Sequence, residues 1–112
     1  MKRACGYVHI EDMSQVQVRT GLRAQRKSVA TYCRRHHMQL VGFEEDMGAG
    51  LSDALADRAG WWRVIAALKR RDFEAVVVAG LAHLDADLLV QECQLTDVLA
   101  LGAEMHSVAE PQ

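Results

Sequence analysis

Short apolar runs alternate along the chain with longer segments in which apolar residues recur every three or four positions. The short runs cover residues 5–10, 40–43, 75–79 and 104–108, and each is bounded by polar or glycine-bearing stretches, which predicts four strands. The run at 75–79 is apolar at every position, as is typical of a parallel strand covered on both faces. It therefore predicts the centre of a sheet.

Three longer segments carry the period of amphipathic helices. The first runs from Leu22 to about His37, the second begins after Gly60, and the third covers residues 85–101. The cations at 69–71 suit the negative end of the second helix dipole, and Gly102 suits a left-handed cap after the third helix. The predicted core stripes of the second and third helices are Trp61, Val64, Ile65 and Leu68, and Leu88, Leu95, Val98 and Leu99.

Strands and helices alternate from one end of the chain to the other, and right-handed crossovers between parallel neighbours favour one architecture. We predict a three-layer α/β fold, with a mostly parallel sheet of four to five strands flanked by helices in a flavodoxin-like topology. Residues 44–60 show no sustained apolar period and predict a long connection over a surface cleft. Clefts in such sheets form at the carboxyl ends of strands, here near residues 9–12, 44–46 and 83–87.

Composition limits the function classes. The 112 residues suffice for one domain spanning 1–112, half of them are hydrophobic, and the net charge is −2. Proteins that hold DNA unaided usually carry a basic excess, so direct DNA binding by the chain alone is not expected. Arg23, Lys27 and Arg34 share one helix face, which is interpreted as a solvated face with a local basic patch as the alternative. No membrane span is predicted, and a cytoplasmic location follows by default.

The number and spacing of the cysteines also fit a cytoplasmic location. The three cysteines, Cys5, Cys33 and Cys93, are odd in number and widely spaced, without a paired motif for zinc or redox chemistry. We expect reduced, buried thiols and no cofactor.

Five short motifs, in the right order, resemble the N-terminal catalytic domain of resolvase/invertase-type serine recombinases. The resemblance covers almost the whole chain and implies the resolvase-like version of the fold. Gly21 to Arg26 resembles the family's Gly-Leu-Ser-x-x-Gln-Arg helix start with one residue fewer, and Asp57 to Gly60 resembles its Asp-Arg-x-Gly step into the second helix. The other three segments are Gly6-Tyr7-Val8, Phe43 to Gly48, and Val76-Val77-Val78 followed by Leu81-Ala82-His83-Leu84.

The chain departs from the family where the chemistry occurs, so the resemblance is to a degenerate member. Family chemistry requires a serine that attacks a DNA phosphate and arginines that neutralise the developing charge. In the motif Tyr-x-Arg-x-Ser, His9 stands at the arginine position and Glu11 at the serine position. In Leu-Asp-Arg-Leu-x-Arg, the aspartate and the two arginines are replaced by Ala82, His83 and Ala86. Only Gln25, Asp46 and Arg58 match residues that the family keeps near its site.

The resemblance therefore implies a catalytically inactive domain with a vestigial cleft formed by His9, Glu11, Gln25, Asp46, Arg58, His83 and Asp85. Because the chain ends at Gln112, the family's long helix and C-terminal DNA-binding domain are not expected. Three functions stay open. The first is a protein-interaction module, through self-association or another protein, with a partner surface at Trp62, Leu89, Cys93 and Ala100 that lies off the core stripes. The second is regulation, as an accessory factor of a DNA recombination or transcription complex.

The third function is a new enzyme or metal site in the rebuilt cleft. Imidazole and carboxylate are ligands of zinc and related ions, and residues two apart on a strand face the same way. The candidate ligands are His9, Glu11, His83 and Asp85.

Overall fold

The computed structural model describes residues 1–10, 15–47 and 54–109, and within them it has one four-stranded sheet. The strands are β1 (Lys2–Ile10), β2 (Met38–Met47), β3 (Ala75–Gly80) and β4 (Glu104–Ala109). Their order across the sheet is β2-β1-β3-β4, and all three pairings are parallel. The predicted α/β class is confirmed.

Helices cover both faces of the sheet. The first helix, α1 (Gln15–Arg35), lies on one face, while α2 (Ala59–Lys69) and α3 (Leu88–Ala100) lie on the other. The cluster under α1 is small and consists of Ala4, Val29, Cys33, Met38, Ala75 and Val77. The cluster under α2 and α3 is larger and includes Tyr7, Trp61, Val64, Val76, Val78, Leu84 and Val98. Alternate residues of β1 and β3 enter opposite clusters, as the two-residue period of a strand requires.

Helix α1 begins at Gln15, seven residues earlier than the sequence predicted. The residues before Leu22 form a polar stretch without a clear apolar period, so the sequence predicted the start of the helix at Leu22. A Cβ at position 21 would lie 2.9 Å from Ile10 Cδ1. The glycine therefore costs the helix about 1 kcal/mol of propensity while allowing it to pass close to β1.

Strand β2 is also longer than predicted, since it continues through Met47 instead of ending at Phe43. Residues 44–46 were wrongly placed in the connection predicted at 44–60, because that segment shows no sustained apolar period. They pair in parallel with β1, with His9 opposite Asp46. On this edge strand Glu44 forms an ion pair with Arg63 and Glu45 forms one with Arg26, so the acidic side chains are accommodated.

The predicted core stripe of α3 is wrong at both ends. Leu88 is 74% exposed and Leu99 is 60% exposed, whereas Gln94 and Val98 are fully buried. Leu84, which precedes the helix, fills the core at its start, so α3 turns Leu88 outward. Cys93 on this helix is exposed, and the expectation of three buried thiols is confirmed only for Cys5 and Cys33.

Candidate functional site

The carboxyl end of β1 meets α1 and the turn after β3 around His9, which is 3% exposed. His9 Nδ1 lies 3.2 Å from the His83 carbonyl oxygen, and because a carbonyl only accepts, this nitrogen donates. The His9 carbonyl in turn accepts from Gln25 Nε2 at 3.1 Å. An open cavity of about 330 Å³ lies here, lined by His9, Ile10, Gly21, Gln25, Ala82, His83 and Ala86.

Arg58 immediately precedes α2 and is 3% exposed. Its guanidinium donates to the Leu84 carbonyl oxygen at 2.6 Å and forms an ion pair with the Asp85 carboxylate. A buried charge is tolerated only when it is paired and hydrogen-bonded, and both conditions are met within the fold. The positive charge of Arg58 is therefore neutralised by the chain itself.

Asp46 near the end of β2 caps α2. Its carboxylate accepts from the backbone nitrogens of Gly60 and Trp61 at 2.7 and 2.8 Å, and from the Tyr7 hydroxyl at 2.7 Å. Position 60 must be glycine for this contact, because a Cβ there would lie 2.5 Å from the Glu45 carbonyl oxygen. Free backbone N–H groups and the helix dipole both favour a carboxylate at this place.

Two titratable side chains around the cleft are held in their neutral forms. Burial raises the pKa of Tyr7, and the hydrogen bond to Asp46 raises it further. Partial burial lowers the pKa of His83, and the neighbouring His9 lowers it further. At neutral pH the cleft therefore presents an uncharged His83 imidazole beside an Arg58 whose charge is already compensated.

Comparison with known proteins rests on structure. No family profile and no curated protein matches the sequence. Among solved structures, the N-terminal catalytic domain of TP901-1 integrase superposes with a TM-score of 0.81 at 20% identity, covering 96% of this chain and 78% of that one. The chain has the fold of a serine recombinase catalytic domain.

Two further structures carry the same serine recombinase fold. The C-terminal catalytic domain of ISC1926 TnpA, an IS607-like serine recombinase, matches with a TM-score of 0.77 at 18% identity, over 97% of this chain and 71% of that one. A resolvase family site-specific recombinase from Streptococcus pneumoniae matches with a TM-score of 0.73 at 19% identity, over 96% and 72%. Identity at this level shows a shared fold.

The serine recombinase fold brings together only part of the predicted cleft. His9, Gln25 and His83 line the cavity, and Arg58 pairs with Asp85 beside it. Asp46 faces Tyr7 and the start of α2 instead. Tyr7 was not among the predicted cleft residues, although it belongs to one of the five motifs. The spacing of two residues between Cys5 and Tyr7 could have revealed its position, because it places both side chains on the same face of β1, under α2.

Glu11, the predicted metal ligand at the family's serine position, lies outside the described residues. Within the ranges that the structure describes, no group of three or more His, Cys, Asp or Glu side chains is arranged to hold a metal ion. Asp85 is engaged by Arg58. The metal site at His9, Glu11, His83 and Asp85 therefore stays a prediction that depends on Glu11.

The predicted partner surface lies on the outer sides of α2 and α3. Leu89 is 73% exposed, and Cys93 and Ala100 are exposed as well. Trp62 is 40% exposed, and its indole Nε1 donates to the Leu55 carbonyl oxygen at 2.9 Å. No helix in the described part of the chain is both long and apolar enough to cross a membrane.

Proposed function

We propose that this domain uses the serine recombinase fold as a protein-interaction or regulatory module and does not cleave DNA. The observation that carries the proposal is that Arg58, which matches an arginine of the family, is unable to offer its charge to a ligand. It is buried and its charge is compensated by Asp85. A guanidinium in that state cannot supply its charge to a phosphate without first breaking its own ion pair.

The remaining cations that phosphoryl transfer would need are replaced. The three family arginine positions in the described cleft hold His9, His83 and Ala86, and the lowered pKa of His83 leaves it uncharged at neutral pH. Stabilising charge on a transferring phosphate is the largest single contribution to such catalysis. The cleft thus supports a role other than strand exchange.

The outer face of α3 supports an interaction role. Leu88, Leu89 and Leu99 are each at least 60% exposed on this short helix. Adjacent exposed leucines on a small domain are typical of surfaces that another protein covers. A second copy of the chain and a different protein are both consistent with this face, as is an accessory role in a DNA recombination or transcription complex.

Two measurements test the proposal. Incubation with nicked duplex DNA, followed by denaturing electrophoresis, is expected to give no protein covalently attached to DNA; an adduct would refute the loss of cleavage. Light scattering coupled to size exclusion tests association: wild type is expected to form an oligomer that Leu89→Lys disrupts. Gln39→Lys, which adds the same charge at an exposed position of β2, is the matched control. A monomer at all concentrations that also retains no partner from its source cells would contradict the interaction role.

A metal-dependent function is the second candidate, favoured by the shared cavity of His9 and His83. A metal ligand must be a neutral imidazole, which is the form that the lowered pKa of His83 maintains. Calorimetric titration with zinc and with manganese is expected to give saturable binding that His83→Ala weakens. A flat trace for both ions would exclude this candidate.

A further inference from the structure

A second open groove lies between α1 and the edge strand β4, away from the cavity around His9. Its volume is about 450 Å³, and its lining residues are Lys27, Ser28, Thr31, Tyr32, Arg35, His36 and Val108. Five of these seven lie on α1 and His36 directly follows its last residue, and the six form two parallel rows with a four-residue step. The groove therefore combines cations, hydroxyls and aromatic rings in one place.

The aromatic part of the groove is held rigidly. The rings of Tyr32 and His36 stack with centroids 4.0 Å apart and planes 24° apart. The Tyr32 hydroxyl forms a hydrogen bond with His106 Nδ1 at 2.8 Å, and His106 Nε2 lies 2.8 Å from Glu104 Oε1. Because this chain of hydrogen bonds fixes Tyr32, it also fixes the surface against which the exposed His36 ring packs.

The cationic part of the groove is not compensated within the described residues. Lys27 and Arg35 are exposed and form no ion pair there, whereas Arg26 on the same helix is paired with Glu45. The sequence of α1 contains six Lys and Arg residues and no Asp or Glu, although the whole chain has a net charge of −2. An anion that reaches this groove therefore meets a local positive potential.

We infer that the groove between α1 and β4 binds a small phosphate-bearing ligand with a planar ring, such as a nucleoside monophosphate. Lys27 and Arg35 are eight residues apart, about 12 Å along the helix, so their long side chains converge on one phosphate near Thr31. Ser28 and Thr31 supply hydroxyl donors there. The ligand ring stacks on His36, as bases stack on protein rings.

The helix dipole sets the orientation of this ligand. The carboxyl end of α1 is its negative end, which disfavours an anion beside the last turn. Lys27 and Arg35 offset this effect at Thr31, where they hold the phosphate between them, and the uncharged ring lies towards His36. This site is independent of whether the domain cleaves DNA, since none of its residues lines the cavity around His9.

Calorimetric titration of the full chain with adenosine monophosphate at low salt tests the inference. We expect saturable one-to-one binding, with adenosine and inorganic phosphate each binding at least about tenfold more weakly, because each lacks half of the recognised groups. Lys27→Gln and Arg35→Gln are each expected to weaken binding about fivefold, the size of one partly exposed charge contact. His36→Ala is expected to weaken it about tenfold through lost stacking.

Lys69→Gln, which removes another exposed cation, this one from α2, is the matched control and should leave binding unchanged, while Lys27→Arg should retain it. Circular dichroism of each variant separates lost binding from lost structure. Absence of saturable binding, or equal losses for Lys69→Gln and Lys27→Gln, would overturn the inference. So would an affinity that rises steadily with the length of an oligonucleotide, since that result indicates an extended polymer track.

Discussion

Replacing Asp46 with alanine tests how the fold uses a carboxylate at the end of β2. Two losses are expected. The start of α2 loses the cap on Gly60 and Trp61, which is typically worth about 1 kcal/mol. The Tyr7 hydroxyl, on a side chain with 0% exposure, loses the acceptor of its proton, and an unsatisfied buried donor costs about 1–3 kcal/mol. Asp46→Ala should therefore destabilise the domain by roughly 2–4 kcal/mol.

Urea denaturation followed by circular dichroism measures this change, and a domain of this length should remain folded because its stability is of the order of 5–15 kcal/mol. A double-mutant cycle with Tyr7→Phe isolates the hydroxyl. Once that hydroxyl is gone, Asp46→Ala should cost only the helix cap, so the coupling energy should be about 1–2 kcal/mol. A loss below about 0.5 kcal/mol for Asp46→Ala, or strict additivity in the cycle, would refute the reasoning.

Three further predictions follow from individual contacts. Gly60→Ala should destabilise the domain by about 1–3 kcal/mol in thermal unfolding, because its Cβ would overlap the Glu45 carbonyl oxygen. A Cβ at Gly42 would meet nothing within 4 Å, so Gly42→Ala should change the stability far less. Equal losses of stability for the two variants would argue against the close approach at Gly60. A thiol reagent at pH 8 should modify Cys93 rapidly and Cys5 only on unfolding, since burial raises the pKa of Cys5 to about 12 and leaves little thiolate. Rapid reaction of a second thiol in the folded protein would contradict this prediction. Because the folded-state pKa of His83 is lowered from its ordinary value of 6.5, the unfolded state binds more protons below that pH and wild type loses stability as pH falls from 7 to 5. His83→Gln should lose less over the same range, and parallel curves would exclude the effect.

The sequence predicted the fold class because each strand signal had a simple physical source. The apolar run at 75–79 is buried on both faces from residue 75 to 78, and the stripe of Trp61, Val64, Ile65 and Leu68 is buried as expected. The predicted ends of the strands and helices were wrong where contacts with distant residues override the local preference of the sequence. Glu44 and Glu45 belong to a strand because Arg63 and Arg26 pair with them, and neither partner is adjacent in sequence.

The candidate site was predictable in its residues but not in its pairings. His9, Gln25, Arg58, His83 and Asp85 were all named from the sequence. That Arg58 binds Asp85 depends on how the turn at Leu81–His83 positions the following residues, and sequence spacing carries no such information. The outward rotation of Leu88 has the same origin, since Leu84 occupies the core position that a periodic pattern assigns to the helix.

The parallel order of the sheet has a consequence for how this chain folds. Every strand pairing joins distant residues: Lys2 pairs with Met38, Ala4 with Ala75, and Ala75 with Glu104. The described strands form no hairpin. The chain must therefore lose the entropy of closing a long loop before any strand pairing stabilises it, and chains of this kind fold slowly. During synthesis β1 cannot gain its second neighbour until β3 has emerged from the ribosome. The N-terminal half is then an exposed, incomplete sheet, and a fragment that stops before residue 75 should aggregate rather than fold.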